Sequence, residues 1–159
     1  MRITSSILDA QPFLRGMTAR QLDLLAEHSM FAEFKAGETI LHEGDSANRF
    51  YLILEGQVEL ESRGVEGETV RIQTLGPGDV LGWSWLFPPY YWHFDARSVT
   101  PVKALFFYGT RLRELCAENH DFGYELMTRV SEIIIRRLQA ARRQLVDHKS
   151  MAAGPAAAG

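Results

Sequence analysis

The residues best able to do chemistry crowd into residues 75–100. That stretch holds all three tryptophans (Trp83, Trp85 and Trp92), the adjacent Pro88 and Pro89, three glycines, and His93 inside an aromatic run. Gly76-Pro77-Gly78 imposes a turn, because glycine tolerates positive φ and proline presets its own. Leu81-Gly82 follows, and Gly82 lets a ligand or another backbone come close where a short helical turn begins. Free N–H groups at a helix start attract anions. Ser84 is placed either to donate to a phosphate there or to cap the turn. The tryptophans either fill and seal a pocket or stack one ring on a purine or other flat ligand, since loop aromatics are costly to leave in water.

His93 has three readings: a neutral core imidazole, a phosphate donor or a haem ligand. Haem is disfavoured, because no second strong ligand lies nearby. Asp95 shares a face with His93 in an extended segment and is able to hold its tautomer. Neither Cys116 nor Ser84 has a base at recognisable spacing, so a non-enzyme without a cofactor is expected.

Composition narrows the function further. The 159 residues suit one domain with a real core, and 46% hydrophobic with 23% charged residues is ordinary for a soluble protein. No apolar run reaches the roughly 18 residues of a membrane span. The N-terminus has no apolar signal core behind Arg2, and Cys116 is the only cysteine, which excludes an internal disulfide. A cytoplasmic location is expected. The net charge of −3 argues against general nucleic-acid binding. Arg129, Arg136, Arg137, Arg142, Arg143 and Lys149 crowd the last third, and a solvated helix face explains them better than a DNA face.

The elements that must position the aromatic stretch can be read in order. Residues 7–30 read as helical with a break, and Thr18-Ala19-Arg20-Gln21 fits a capping box. From 31 to 75 the hydrophobic period becomes two. Short strands such as Thr39-Ile40-Leu41-His42, Phe50-Tyr51-Leu52-Ile53-Leu54 and Gln57-Val58-Glu59-Leu60-Glu61 are each ended by a glycine turn. A last strand runs over 96–108. Together 31–108 predict an antiparallel jelly-roll barrel, so the fold is mainly β with flanking helices. Residues 110–149 read as helix in two pieces divided near His120-Asp121. Met127, Val130, Ile134, Leu138, Ala141 and Leu145 form one stripe, which predicts a homodimer through this helix. The folded domain spans 1–149, and 150–159 is expected to be a disordered tail.

In this order the elements resemble the cyclic nucleotide-binding domain. The resemblance rests on Gly37-Glu38-Thr39-Ile40-Leu41-His42-Glu43-Gly44-Asp45, on Phe50 to Val58 with its Glu55-Gly56 turn, on Leu75-Gly76-Pro77-Gly78-Asp79-Val80-Leu81-Gly82, and on the long helix. It covers about residues 8–148 and is nearest in kind to the sensor halves of catabolite-activator and fumarate-nitrate-type regulators. In cyclic-nucleotide binders of this family a Glu takes the ribose hydroxyls and an Arg with backbone N–H groups holds the cyclic phosphate. Here Trp83 stands at the Glu position. The Arg position falls near His93 counting forward from Gly82, or at Trp92 counting back from Thr100, and Arg97 would compensate only if it points inward.

The resemblance implies a stand-alone sensor domain without a DNA-binding domain. It would bind a cyclic nucleotide such as cAMP or cGMP, or a related ligand, through Leu81, Gly82, Trp83, Ser84, Trp92, His93 and Arg97. Binding would order 82–95, shift the hinge before the long helix and act on a separate effector protein. The competing expectation is a ligand-free interaction module whose pocket is plugged by aromatics.

Overall fold

The computed structural model describes residues 2–158, with side chains described through Ser150. The disordered tail expected over 150–159 falls, beyond Ser150, outside the residues described in full. Two compact units are distinguished, Met1–Gly123 and Tyr124–Gly159.

The first unit opens with α1 (Ser5–Asp9), a 3₁₀ turn (Pro12–Leu14) and α2 (Ala19–Glu27). The capping box at α2 is formed: the Gln21 backbone N–H donates to Thr18 Oγ1 at 3.2 Å, and the Thr18 N–H donates to Gln21 Oε1 at 3.0 Å. Helix does not continue to residue 30 as the sequence suggested. Ser29 and Met30 instead begin β1 (Ser29–Phe34), because they pair with Phe107 and Phe106, and that ladder overrides local preference.

Eight strands make two four-stranded antiparallel sheets. One has the order β1-β8-β3-β6, with β3 (Arg49–Glu55), β6 (Val80–Leu81) and β8 (Val102–Tyr108). The other has the order β2-β7-β4-β5, with β2 (Thr39–Leu41), β4 (Val58–Arg63), β5 (Thr69–Leu75) and β7 (Asp95–Ser98). The expected jelly-roll topology is thus a pair of facing sheets and not a closed barrel. The single strand expected over 96–108 is also divided. Pro101 has no N–H to donate to a ladder, and on either side of it β7 and β8 join different sheets. Gly56 turns the chain after β3 at φ +96°, where a Cβ would lie 2.3 Å from the Pro101 carbonyl oxygen.

The core between the sheets contains Ile40, Leu41, Tyr51, Ile53, Val58, Leu60, Leu75, Leu81, Trp92, Ala96, Val102 and Ala104, with Phe34, Phe94 and Phe106 packed against it. β3 is buried on both faces. Tyr51 and Ile53 look into this core, while Phe50 stacks on Phe107 at 4.5 Å and on Trp85 at 5.0 Å. α2 packs on β1, and α3 (Gly109–Glu118) packs on β3, β8 and the 3₁₀ turn Ser84–Leu86. The helical break falls at Asn119, which is extended (φ −129°, ψ 97°) and whose Oδ1 accepts the Phe122 N–H at 3.2 Å to start α4 (His120–Ala158).

The second unit is the rest of α4. Glu125 and Arg129 pair along it, as do Glu132 and Arg136 at 3.8 Å. Tyr124, Met127, Ile135, Leu138, Leu145 and Val146 are exposed.

Candidate functional site

Val80 and Leu81 pair with Leu52 and Tyr51, which brings the chain to Gly82 at the edge of the inner core. Gly82 sits at φ +90°, and a Cβ there would lie 2.7 Å from the Trp92 ring and 3.7 Å from the Arg49 carbonyl oxygen. Only glycine fits. The close approach expected at Gly82 is therefore made by the protein's own indole.

From Trp83 the chain makes one 3₁₀ turn, Ser84–Leu86, with no side-chain cap. Ser84 is buried as the first residue of that turn and is not its cap; three residues sum too little dipole to attract an anion strongly. Trp85 is buried against Phe50 and Gly109. Trp83 is half-buried.

The Pro88–Pro89 peptide bond is cis, and Tyr90 follows at φ +61°. Arg113 of α3 ties this loop down: its Nη1 donates to the Trp85 carbonyl at 2.6 Å, and its guanidinium lies 4.0 Å from the Tyr90 ring centroid. Residues 90–92 then pair with the loop before β3. The Ala47 N–H donates to the Tyr90 carbonyl at 2.7 Å, the Trp92 N–H to the Asp45 carbonyl at 3.0 Å, and the Gly44 N–H to the Trp92 carbonyl at 2.9 Å.

That pairing decides which side chain turns inward. Trp92 is 1% exposed and belongs to the inner core, while His93 is exposed to solvent. Of the two positions that counting allowed for the family's arginine, the inward one is Trp92. The Trp92 Nε1 is buried with no hydrogen-bond partner. Asp95 does not hold His93; its Oδ1 accepts the Glu43 N–H at 2.7 Å.

Arg97 does not point inward. Ala96 and Ser98 take the buried side of β7, so Arg97 faces out, donating to Glu61 and Glu59 at 3.0 Å each. Leu81, Gly82 and Trp92 meet at one place, whereas His93 and Arg97 stand apart from it. Burial pushes the Cys116 thiol up to about 11, which leaves it a poor nucleophile near neutral pH. Among the described residues no group of three or more His, Cys, Asp or Glu side chains is arranged to hold a metal ion. No described helix is long and apolar enough to cross a membrane.

Two surface grooves have no lining residue from the aromatic stretch. One of about 980 Å³ is lined by Arg2, Ser5, Asp23, Glu27 and Met30 among others, and one of about 540 Å³ by residues including Glu33, Lys35, Glu55 and Lys103.

Sequence reasoning missed Arg49 and Arg113. Arg49 was findable, because alternation along β3 sets it on the face of Tyr51. Arg113 carries no local signal, since its contacts join distant parts of the chain.

Comparison with known proteins agrees with this architecture. The family model for the cyclic nucleotide-binding domain matches residues 31–119. A CRP-like cAMP-activated global transcriptional regulator of Mycobacterium tuberculosis is 25% identical over 141 residues, covering 89% of this chain. The chain spans 61% of that relative's length. The crystal structure of a candidate cyclic nucleotide-binding protein from Geobacter metallireducens is 33% identical, covers 86% of this chain and 98% of its own, and superposes with a TM-score of 0.78. The regulatory subunit of a cAMP-independent protein kinase A from Trypanosoma cruzi, solved bound to guanosine, is 27% identical over 72% of this chain and 40% of its own, with a TM-score of 0.64. Two of the three relatives named here are a transcriptional regulator and a kinase regulatory subunit. By the match over 31–119, the facing sheets and the glycine turns that frame them, this chain belongs to the cyclic nucleotide-binding domain family.

Proposed function

We propose that this chain is a regulatory module whose ligand chamber is closed by its own Trp92, and that it acts through protein contacts without needing cAMP or cGMP. The observation that carries this reading is the Trp92 ring packed against Gly82 inside the inner core. A nucleotide base seated there would have to expel a buried indole, losing burial worth roughly 1.5–3 kcal/mol for a large apolar side chain. It would also find Trp83 in place of the family's Glu, and Arg97 already paired on the outer face with Glu59 and Glu61. A missing charge-assisted contact costs roughly 1.5–3 kcal/mol, or one to two decades in affinity.

The protein contact proposed is a homodimer along α4. Leu138 and Leu145 stand seven residues apart on that helix and are exposed, a spacing that suits a two-helix seam. Isothermal titration with cAMP and with cGMP tests the main reading: no heat at millimolar nucleotide is expected, and saturable binding to either would overturn it. Sedimentation of the Leu138→Glu, Leu145→Glu variant tests the seam, with a monomer expected where the parent chain is a dimer.

One observation favours a second reading, in which a ligand displaces Trp92 and the module is a sensor. The buried Nε1 without a partner leaves the closed state short of one hydrogen bond. The guanosine-bound Trypanosoma cruzi subunit, a cAMP-independent relative, makes a nucleoside lacking the cyclic phosphate the ligand to try. Saturable binding of guanosine, with release of Trp92 seen by fluorescence, would favour this reading over the first.

A further inference from the structure

The rim of the inner core carries a cation that the closed chamber does not use. Arg49 opens β3 on the same side as Tyr51, one alternation away. Its guanidinium is held by neutral acceptors only: Nε donates to Tyr51 Oη at 2.9 Å, Nη1 to Asn48 Oδ1 at 2.9 Å, and Nη2 to the Ile40 carbonyl at 3.2 Å. The ion pairs among the described residues do not include Arg49. A guanidinium has five N–H donors, so three bonds leave one N–H on each terminal nitrogen. Two N–H groups on adjacent nitrogens suit the two oxygens of a carboxylate or phosphate.

The surroundings fix this group in place. Its carbon lies 5.9 Å from the Tyr51 ring centroid and 6.0 Å from that of Trp92. Three bonds to three different residues remove most of its rotamer freedom, so little ordering entropy would be lost on binding. Arg97, by contrast, has its charge matched by Glu59 and Glu61. Arg49 is half-buried and its charge is matched by no carboxylate among the described residues.

We propose that Arg49 is an oxyanion-recognition point at the rim of the closed chamber, taking the phosphate or carboxylate group of a small ligand beside Trp92. The anion is held from β3, outside residues 82–95, so the site does not require Trp92 to leave. This goes beyond the closed-chamber reading, and its test is independent of nucleotide binding.

The test is a nitrogen-15 NMR titration of the whole chain with inorganic phosphate, with acetate, and with chloride as control, all at fixed ionic strength. Arg49 Nε and Trp92 Nε1 are the reporters. Saturable shifts of both with phosphate, acetate or both are expected, and the anion that saturates tells a phosphate ligand from a carboxylate one. Arg49→Lys, which keeps the charge but loses the fork, is expected to weaken binding about tenfold or more. Arg97→Gln, which removes the outward guanidinium paired with Glu59 and Glu61 and leaves Arg49 untouched, is expected to retain saturable binding. Shifts that are equal in chloride, that fail to saturate with either oxyanion, or that at Trp92 Nε1 are unchanged in Arg49→Lys would overturn the proposal. Because the unmodified chain carries the primary readout, failure of a variant to fold leaves the test intact.

Discussion

The two faces of β3 make opposite use of aromatic side chains. On the outer face Phe50 lies between Trp85 and Phe107 in parallel stacks at 5.0 and 4.5 Å. The Trp85 carbonyl accepts from Arg113. On the inner face Tyr51 meets Phe34 and Phe106 edge-on, Trp92 is left with an unbonded Nε1, and Arg49 keeps spare donors. The outer face is a finished core, where stacked rings bury area without orphaning a polar group. The inner face retains polar capacity. That is the difference between a surface built only to be covered and one in a family built around a ligand.

The contrast can be broken from the outer side first. Phe50→Ala should cost about 3–5 kcal/mol in urea unfolding, because it empties the middle of a three-ring stack. A loss under half of that would mean the stack is no tighter than the inner core.

Gly82→Ala attacks the inner side. The added Cβ meets the Trp92 ring at 2.7 Å from a backbone at φ +90°, so about 1–3 kcal/mol of destabilisation is expected. Trp92 should be pushed toward water, with a red shift of tryptophan emission. An unshifted spectrum would show that Trp92 does not occupy this place in solution.

Trp92→Phe sharpens the comparison. Lost ring area is offset by removal of an unpaired buried N–H, so the net cost should stay below about 2 kcal/mol and below that of Trp85→Phe. Equal costs for the two would remove the distinction between the faces.

The smallest effect is expected at Arg97→Gln. This side chain is 39% exposed and pairs with Glu59 and Glu61 on the outer face of its sheet, so the loss should be within about 1 kcal/mol. Any change in ligand response on this substitution would place Arg97 in the chamber after all.

Local chemistry made much of this legible in the sequence. The Thr18–Gln21 capping box and the strand Phe50 to Leu54 depend on neighbours, and both are formed. Whether the sheets close depends on strand order, which no short window encodes. Ser29 and Met30 became strand through partners in β8, far along the chain. At the site the difficulty was one residue wide. Counting from two ends gave Trp92 or His93, and a one-residue slip in an extended segment exchanges inside for outside. The backbone pairing of Trp92 with Gly44 and Asp45 resolves it. Arg97 could have been read as outward from the small, buried Ala96 beside it.

A crystal structure grown in millimolar cAMP tests the closed chamber most directly. Trp92 is predicted to remain packed on Gly82, with no nucleotide between the sheets. Nucleotide bound beside Gly82, with the Trp92 ring displaced, would contradict it.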